Sequence, residues 1–253
     1  MTEPQDAFEF RLDSIATEAG RIADAARLGL KEQVPCCPQW SVGDLVGHLA
    51  EVYEFWTVQV EAASDERTAT EHDGESGGAG GDEGEDERVS RFEMATSALL
   101  ASLTATAPDR RCWNWAGSDS TAAWAARRMA LESAIHRIDA EQAHHVVTPI
   151  ETTLAIDGID ERIGVHLAVD VPEDPSASLG GSLCLVCDDV NHAWIVEVAA
   201  GRLTWRHGRG PADAVLVGDA SSMFQFTWNR LPLDALTLTG RREVAEAWAA
   251  LPV

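Results

Sequence analysis

The chain has 253 residues, 45% of them apolar, enough for one large domain or two ordinary ones with real cores. A formal net charge of −23 argues against a nucleic-acid or anionic-membrane partner, either of which needs a basic face. No apolar run reaches the roughly 18 residues of a membrane span, and the N-terminus is not the basic-then-apolar type of a signal peptide. Five cysteines, an odd number without framework spacing, fit a reducing compartment, so a cytoplasmic protein is expected.

Residues 7–31 carry Phe8, Leu12, Ile15, Ile22, Ala26 and Leu30 at helical intervals, which predicts a first amphipathic helix broken by Pro35 and Pro38. Trp40 then precedes Ser41-Val42-Gly43-Asp44, a capping-box pattern that opens a second helix. Its core stripe is Leu45, Leu49, Val52 and Trp56, with His48 at the edge. From about 64 to 87 the periodicity dissolves: eleven Asp or Glu against two Arg lie between Glu61 and Arg88. Such a stretch buries too little apolar area to offset its ordering entropy and reads as a disordered, mobile crossover. A third helix is expected over Val89–Thr106, ended by Pro108. Ser118, Asp119 and Ser120 are cap candidates for a long fourth helix, 122 to about 145. Four helices with one long crossover predict a four-helix bundle over residues 1–148, and bundle cores are where such proteins place metals.

After Pro149 the texture changes. Residues 151–169 read as helix, followed by short alternating runs at 182–186, 193–199 and 203–206, the last two joined as a hairpin. Further strands at 214–217 and 236–239 flank an apolar helical stretch near 221–228, and a helix over 243–251 follows. The second domain, 149–253, is therefore α+β.

The chemistry concentrates on two helices. Glu132 and His136 are four apart, so they project from one face one turn apart and reach a common point. Leu131, Ile135 and Ile138 beside them form an apolar stripe, which sets the pair at the edge of a core. A carboxylate there needs a partner, and a divalent cation held by carboxylate and imidazole supplies one. His48 is the third candidate ligand; three protein ligands with a fourth position open is the arrangement of a catalytic zinc site. Glu51, one turn past His48, is a rival carboxylate, and Asp139 either orients His136 or pairs with Arg137 or Arg128 on the helix surface.

The run Trp40 to Leu49 resembles the second-helix motif of the DinB-like, mycothiol-dependent maleylpyruvate isomerase family, and Ala126 to Glu141 resembles its fourth helix. Leu154 to Glu161 is similar to its interdomain helix. Gly218-Asp219-Ala220 through Trp228-Asn229-Arg230-Leu231-Pro232 is similar to its C-terminal domain, itself like sterol carrier protein folds. The resemblance implies zinc ligands at His48, Glu132 and His136, with mycothiol as a thiol cosubstrate whose sulfur takes the open position on zinc. It implies a catalytic arginine of the second domain at Arg230, where the usual preceding glycine is Asn229. A small electrophile would be the second substrate, and a monomer or homodimer the assembly. The function expected is maleylpyruvate-type cis–trans isomerisation or thiol S-transfer. The alternatives are a non-catalytic small-molecule or lipid-binding protein with a structural or absent metal, and a metal-dependent hydrolase of thiol conjugates.

Other features carry less. Cys184 and Cys187 form a CxxC in a strand, where positions three apart face opposite ways. Cys36-Cys37 reads as a loop pair without chemical role, and His144-His145 as imidazolium at the negative end of the fourth helix. Trp113 and Trp115 are expected either at the mouth of the bundle or in packing against the second domain.

Overall fold

The structure is a computed structural model that describes residues 5–70, 84–117, 119–167, 179–199 and 201–251. The chain divides into two compact units, Met1–Thr148 and Pro149–Val253.

The first unit is a bundle of α1 (Gln5–Leu28), α2 (Val42–Ala62), α3 (Glu85–Thr104) and α4 (Ala122–Ala143). α1 packs on α4 and α3, and α2 packs on α3 and α4, so each helix has two principal neighbours. α1 stops at Leu28, just before Gly29 and well before the prolines, and a turn closed by a bridge between Gln33 and Ser41 leads into α2. Ser41 caps α2 with a full capping box: its side chain accepts from Asp44 N, and Asp44 accepts from Ser41 N at 3.0 Å. Such a cap contributes about 1 kcal/mol and fixes where the helix begins, hence where His48 points. Leu45, Leu49 and Trp56 are buried as expected, whereas Val52 is half-buried and Tyr53 takes the core position, its hydroxyl 2.6 Å from Ser133 Oγ.

The acidic crossover is shorter than the sequence suggests. Gln59 clamps Thr68 through both backbone groups at 2.8 and 2.9 Å, and α3 begins at Glu85. Residues 71–83, the centre of the expected disordered segment, lie outside the described residues. The cap of α4 also differs from expectation: Thr121, not Ser118, Asp119 or Ser120, accepts from Trp124 N at 3.3 Å. Asp119 is committed to the turn before it, with φ of 50°.

α4 is buried on nearly every side, not along a single stripe. Its polar residues must therefore pair internally. Arg137, with no exposed surface, donates to Glu18 Oε2 and Glu141 Oε2, both at 2.7 Å, and to the Thr148 carbonyl. This network ties α1, α4 and the segment after α4 together beneath the His136 turn.

The second unit opens with α5 (Thr152–Glu161), capped by Glu151, and continues through a π-helical turn over Arg162–His166. Strands β1 (Leu183–Cys187), β2 (His192–Ala199), β3 (Arg202–His207), β4 (Ala214–Gly218) and β5 (Thr237–Gly240) form one sheet in the order β3-β2-β1-β4-β5. β1 and β4 are parallel and the other pairs antiparallel. β2 and β3 form the expected hairpin, with Glu197 opposite Thr204. Helix α6 (Ala220–Thr227), capped by Asp219, sits between β4 and β5 in sequence and packs on α5; α7 (Arg242–Ala249) follows β5. The predicted strands and helices of this unit are present with end shifts of one or two residues, except that the first helix gives way to the π turn at Arg162, and its expected end at 168–169 lies outside the described residues. No helix among the described residues is long and apolar enough to cross a membrane.

Candidate metal centre

α2 and α4 bring His48, Glu132 and His136 to one point. Their ligand atoms all lie within 4.8 Å of one another, the one such group of three among the described residues. Glu132 Oε1 is 3.2 Å from His136 Nε2 and 3.8 Å from His48 Nε2. Zinc bound tetrahedrally at about 2.0–2.1 Å separates its ligand atoms by roughly 3.3 Å, so Glu132 and His136 already stand at that spacing and His48 would draw in towards them. Two imidazoles and one carboxylate are also the right donor types. Glu51, the rival carboxylate on α2, is not part of this group.

Each ligand is held from behind. Arg128, itself buried, hydrogen-bonds Glu132 Oε2 and leaves Oε1 towards the two histidines. Asp139 Oδ2 lies 2.9 Å from His136 Nδ1, which makes Nδ1–H the donor and presents Nε2 to the centre. Asp139 has no exposed surface, so the surface pairing considered from sequence is ruled out. Trp40 packs on the His48 ring with centroids 4.9 Å apart, and the two histidine rings meet edge-on at 5.5 Å. Asp139 Oδ1 accepts from Cys36 Sγ at 2.8 Å, so the cysteine read as an idle loop residue touches the second layer of the centre.

The electrostatics follow from this crowding. Burial opposes ionisation of Glu132, yet Arg128 and His136 hold its carboxyl well below the usual range. Burial likewise opposes charge on His136, but Glu132 and Asp139 flank it and push its imidazole up to about 9. In the metal-free chain the two carboxylates are thus matched by Arg128 and a protonated His136, and a cation bound between the three side chains would take the place of the proton on His136 Nε2.

The remaining expected residues fall elsewhere. Arg230 is half-buried in the second unit and donates to the Trp228 carbonyl at 2.7 Å. Asn229 before it has φ of 58°, a left-handed conformation that glycine and asparagine tolerate best, so asparagine does there what glycine would. Trp113 stacks on Trp56 and meets Phe55, while Trp115 is exposed and meets Trp124 edge-on. His144 closes α4 through its backbone N–H on Glu141 O rather than through its ring. All five cysteines are free thiols. Cys184 and Cys187 are buried on opposite sides of β1, and burial with Asp189 nearby pushes the Cys187 thiol up to about 12, which makes it inert.

Comparison with known proteins bears on the fold and the family. Two solved structures share the fold over 92% of this chain and 92% of their own. One is a histidine-to-alanine mutant of the mycothiol-dependent maleylpyruvate isomerase, at TM-score 0.65 and 14% identity; the other is the mycothiol-dependent maleylpyruvate isomerase itself, at 0.60 and 15%. No curated protein matches the chain. Residues 12–141, just over half the chain and from within α1 almost to the end of α4, match the family described as mycothiol maleylpyruvate isomerase N-terminal domain. The chain belongs to that enzyme family.

Proposed function

We propose that His48, Glu132 and His136 hold a zinc ion and that the protein uses mycothiol to attack a small electrophilic substrate. The observation that carries this reading is the convergence of two imidazole Nε2 atoms on one carboxylate oxygen, each ligand braced by a partner that fixes its orientation. A bound divalent cation would favour thiolate over thiol at neutral pH and so supply the nucleophile.

The chain's own residues do the rest. Asp139 keeps the proton of His136 on Nδ1, Arg128 orients Glu132, and Trp40 keeps the His48 ring in place while excluding water from one side. Arg230 would bind a substrate carboxylate through its guanidinium fork. The reaction is addition of the thiol sulfur to an electron-poor double bond, rotation about the resulting single bond, and loss of the same thiol. That sequence is a cis–trans isomerisation. Loss of a different leaving group makes it thiol transfer. A cytoplasmic site of action belongs to the same proposal, because low-molecular-weight thiol chemistry needs a reducing compartment.

A second reading rests on the second unit, where an apolar pocket is walled by Ile163, Leu167, Leu183, Leu185 and Phe226 with Arg162 at its lining. It would make the protein a binder of apolar small molecules or lipids. Steady-state assays with mycothiol and maleylpyruvate, and in parallel with mycothiol and a halogenated electrophile, separate the readings. Thiol-dependent turnover of either substrate supports the enzyme. Tight binding of an apolar ligand with no thiol reaction supports the binder.

A further inference from the structure

The turn between α1 and α2 does more than connect them. It carries Trp40, which packs on His48, and Cys36, which crosses to α4 and donates its S–H to Asp139 Oδ1 at 2.8 Å. Asp139 spends its other oxygen, Oδ2, on His136 Nδ1. The carboxylate is wholly buried, with Cys36 on one oxygen and His136 on the other, so Cys36 is one of the anchors that set its plane and with it the plane of the His136 ring. Cys36 is half-buried, while the Val34 and Trp40 that bracket the turn bond to each other through Val34 N and Trp40 O at 3.0 Å. The sulfur is thus carried by a loop closed on itself.

Building on the zinc reading above, we propose that Cys36 is a positioning residue for the metal centre, acting as the outer donor of a Cys36–Asp139–His136 chain that sets how tightly the metal is held. The role is that of a hydrogen-bond donor, not of a ligand or nucleophile: Cys36 is absent from the converging group, and its sulfur stands within hydrogen-bond reach of a carboxylate oxygen that can only accept. Outer partners of metal-bound histidines are worth about 10- to 100-fold in metal affinity. One bond further out, the lower end of that range applies. Serine keeps a donor at this position; alanine and valine do not.

The test uses the full chain, stripped of metal, titrated with zinc against a chromophoric chelator, with the cobalt form examined for its visible ligand-field bands. We expect C36A and C36V to weaken zinc about tenfold and shift the cobalt bands, C36S to stay within about twofold of the parent, and C37A to change neither. Affinity and bands unchanged in C36A and C36V overturn the proposal, and so does a C36S variant as weak as C36A, because packing rather than donation would then be at work. A parent chain that binds no zinc removes the metal reading itself and this inference with it. If C36A does not fold, C36V and C36S carry the comparison. A parent that binds zinc with unaffected variants refutes only the role of Cys36.

Discussion

Arg137 offers the sharpest test of how the scaffold holds α4. Its guanidinium is fully buried and bonds Glu18, Glu141 and Thr148, while Glu18 is 3% and Glu141 9% exposed. Arg137→Met fills most of the volume but strips the cation from between two buried carboxylates. Breaking a buried ion pair from one side costs about 3–5 kcal/mol, because the charges left behind have lost their compensation. At about 2–4 °C per kcal/mol for a chain of this size, the melting temperature should fall on the order of 10 °C. Calorimetry or circular dichroism on metal-free protein at neutral pH reads the change. The combination Arg137→Met, Glu18→Gln and Glu141→Gln should recover part of the loss, since the stranded charges are gone. A drop in the single variant no larger than about 2 °C would refute the reasoning and mean that water or local rearrangement solvates those carboxylates.

Other consequences are equally direct. His48→Ala, Glu132→Ala and His136→Ala should each lose most bound metal on elemental analysis, and full occupancy in all three would remove the site. Because His136 must be neutral to bind a cation and its imidazole stands at about 9, apparent zinc affinity should weaken by up to about tenfold for each unit of acidification below that value. The metal-free fold should behave in the opposite sense. The folded value lies above the ordinary 6.5, so the contribution of His136 is complete below about pH 6.5 and is lost as pH rises through about 9. Melting curves of the metal-free protein between those limits, set beside His136→Gln, check that sign. Arg230→Ala should raise KM for a carboxylate substrate at least tenfold with zinc content unchanged, and a loss of zinc in that variant would show that it acts on the fold instead.

Much of the centre was legible because helical spacing is a local property. Glu132 and His136 share a face by their separation of four, and the Ser41–Asp44 box announces the helix that carries His48. What the sequence could not show is contact across long separations. Cys36 reaches Asp139 across 103 positions, from a turn whose path is set by the packing of α1 on α4. Arg137 looks like a surface residue in a charged helix, and only the burial of α4 on nearly all sides reveals it as the hub of an internal network. Thr121 lost out to three better-looking caps because the turn at Asp119 places the chain one step further along before α4 starts. The π turn at Arg162 leaves the apolar spacing of Ile159 and Ile163 intact, so no periodicity marks it.

In the proposed mechanism the metal keeps one position open to a thiol. Elemental analysis of untagged protein, followed by addition of mycothiol to the cobalt-substituted form, addresses it most directly. One equivalent of zinc per chain and a thiolate-to-cobalt charge-transfer band that saturates at one thiol are expected. Protein that carries no metal, takes up none, and shows no spectral response to thiol would contradict it.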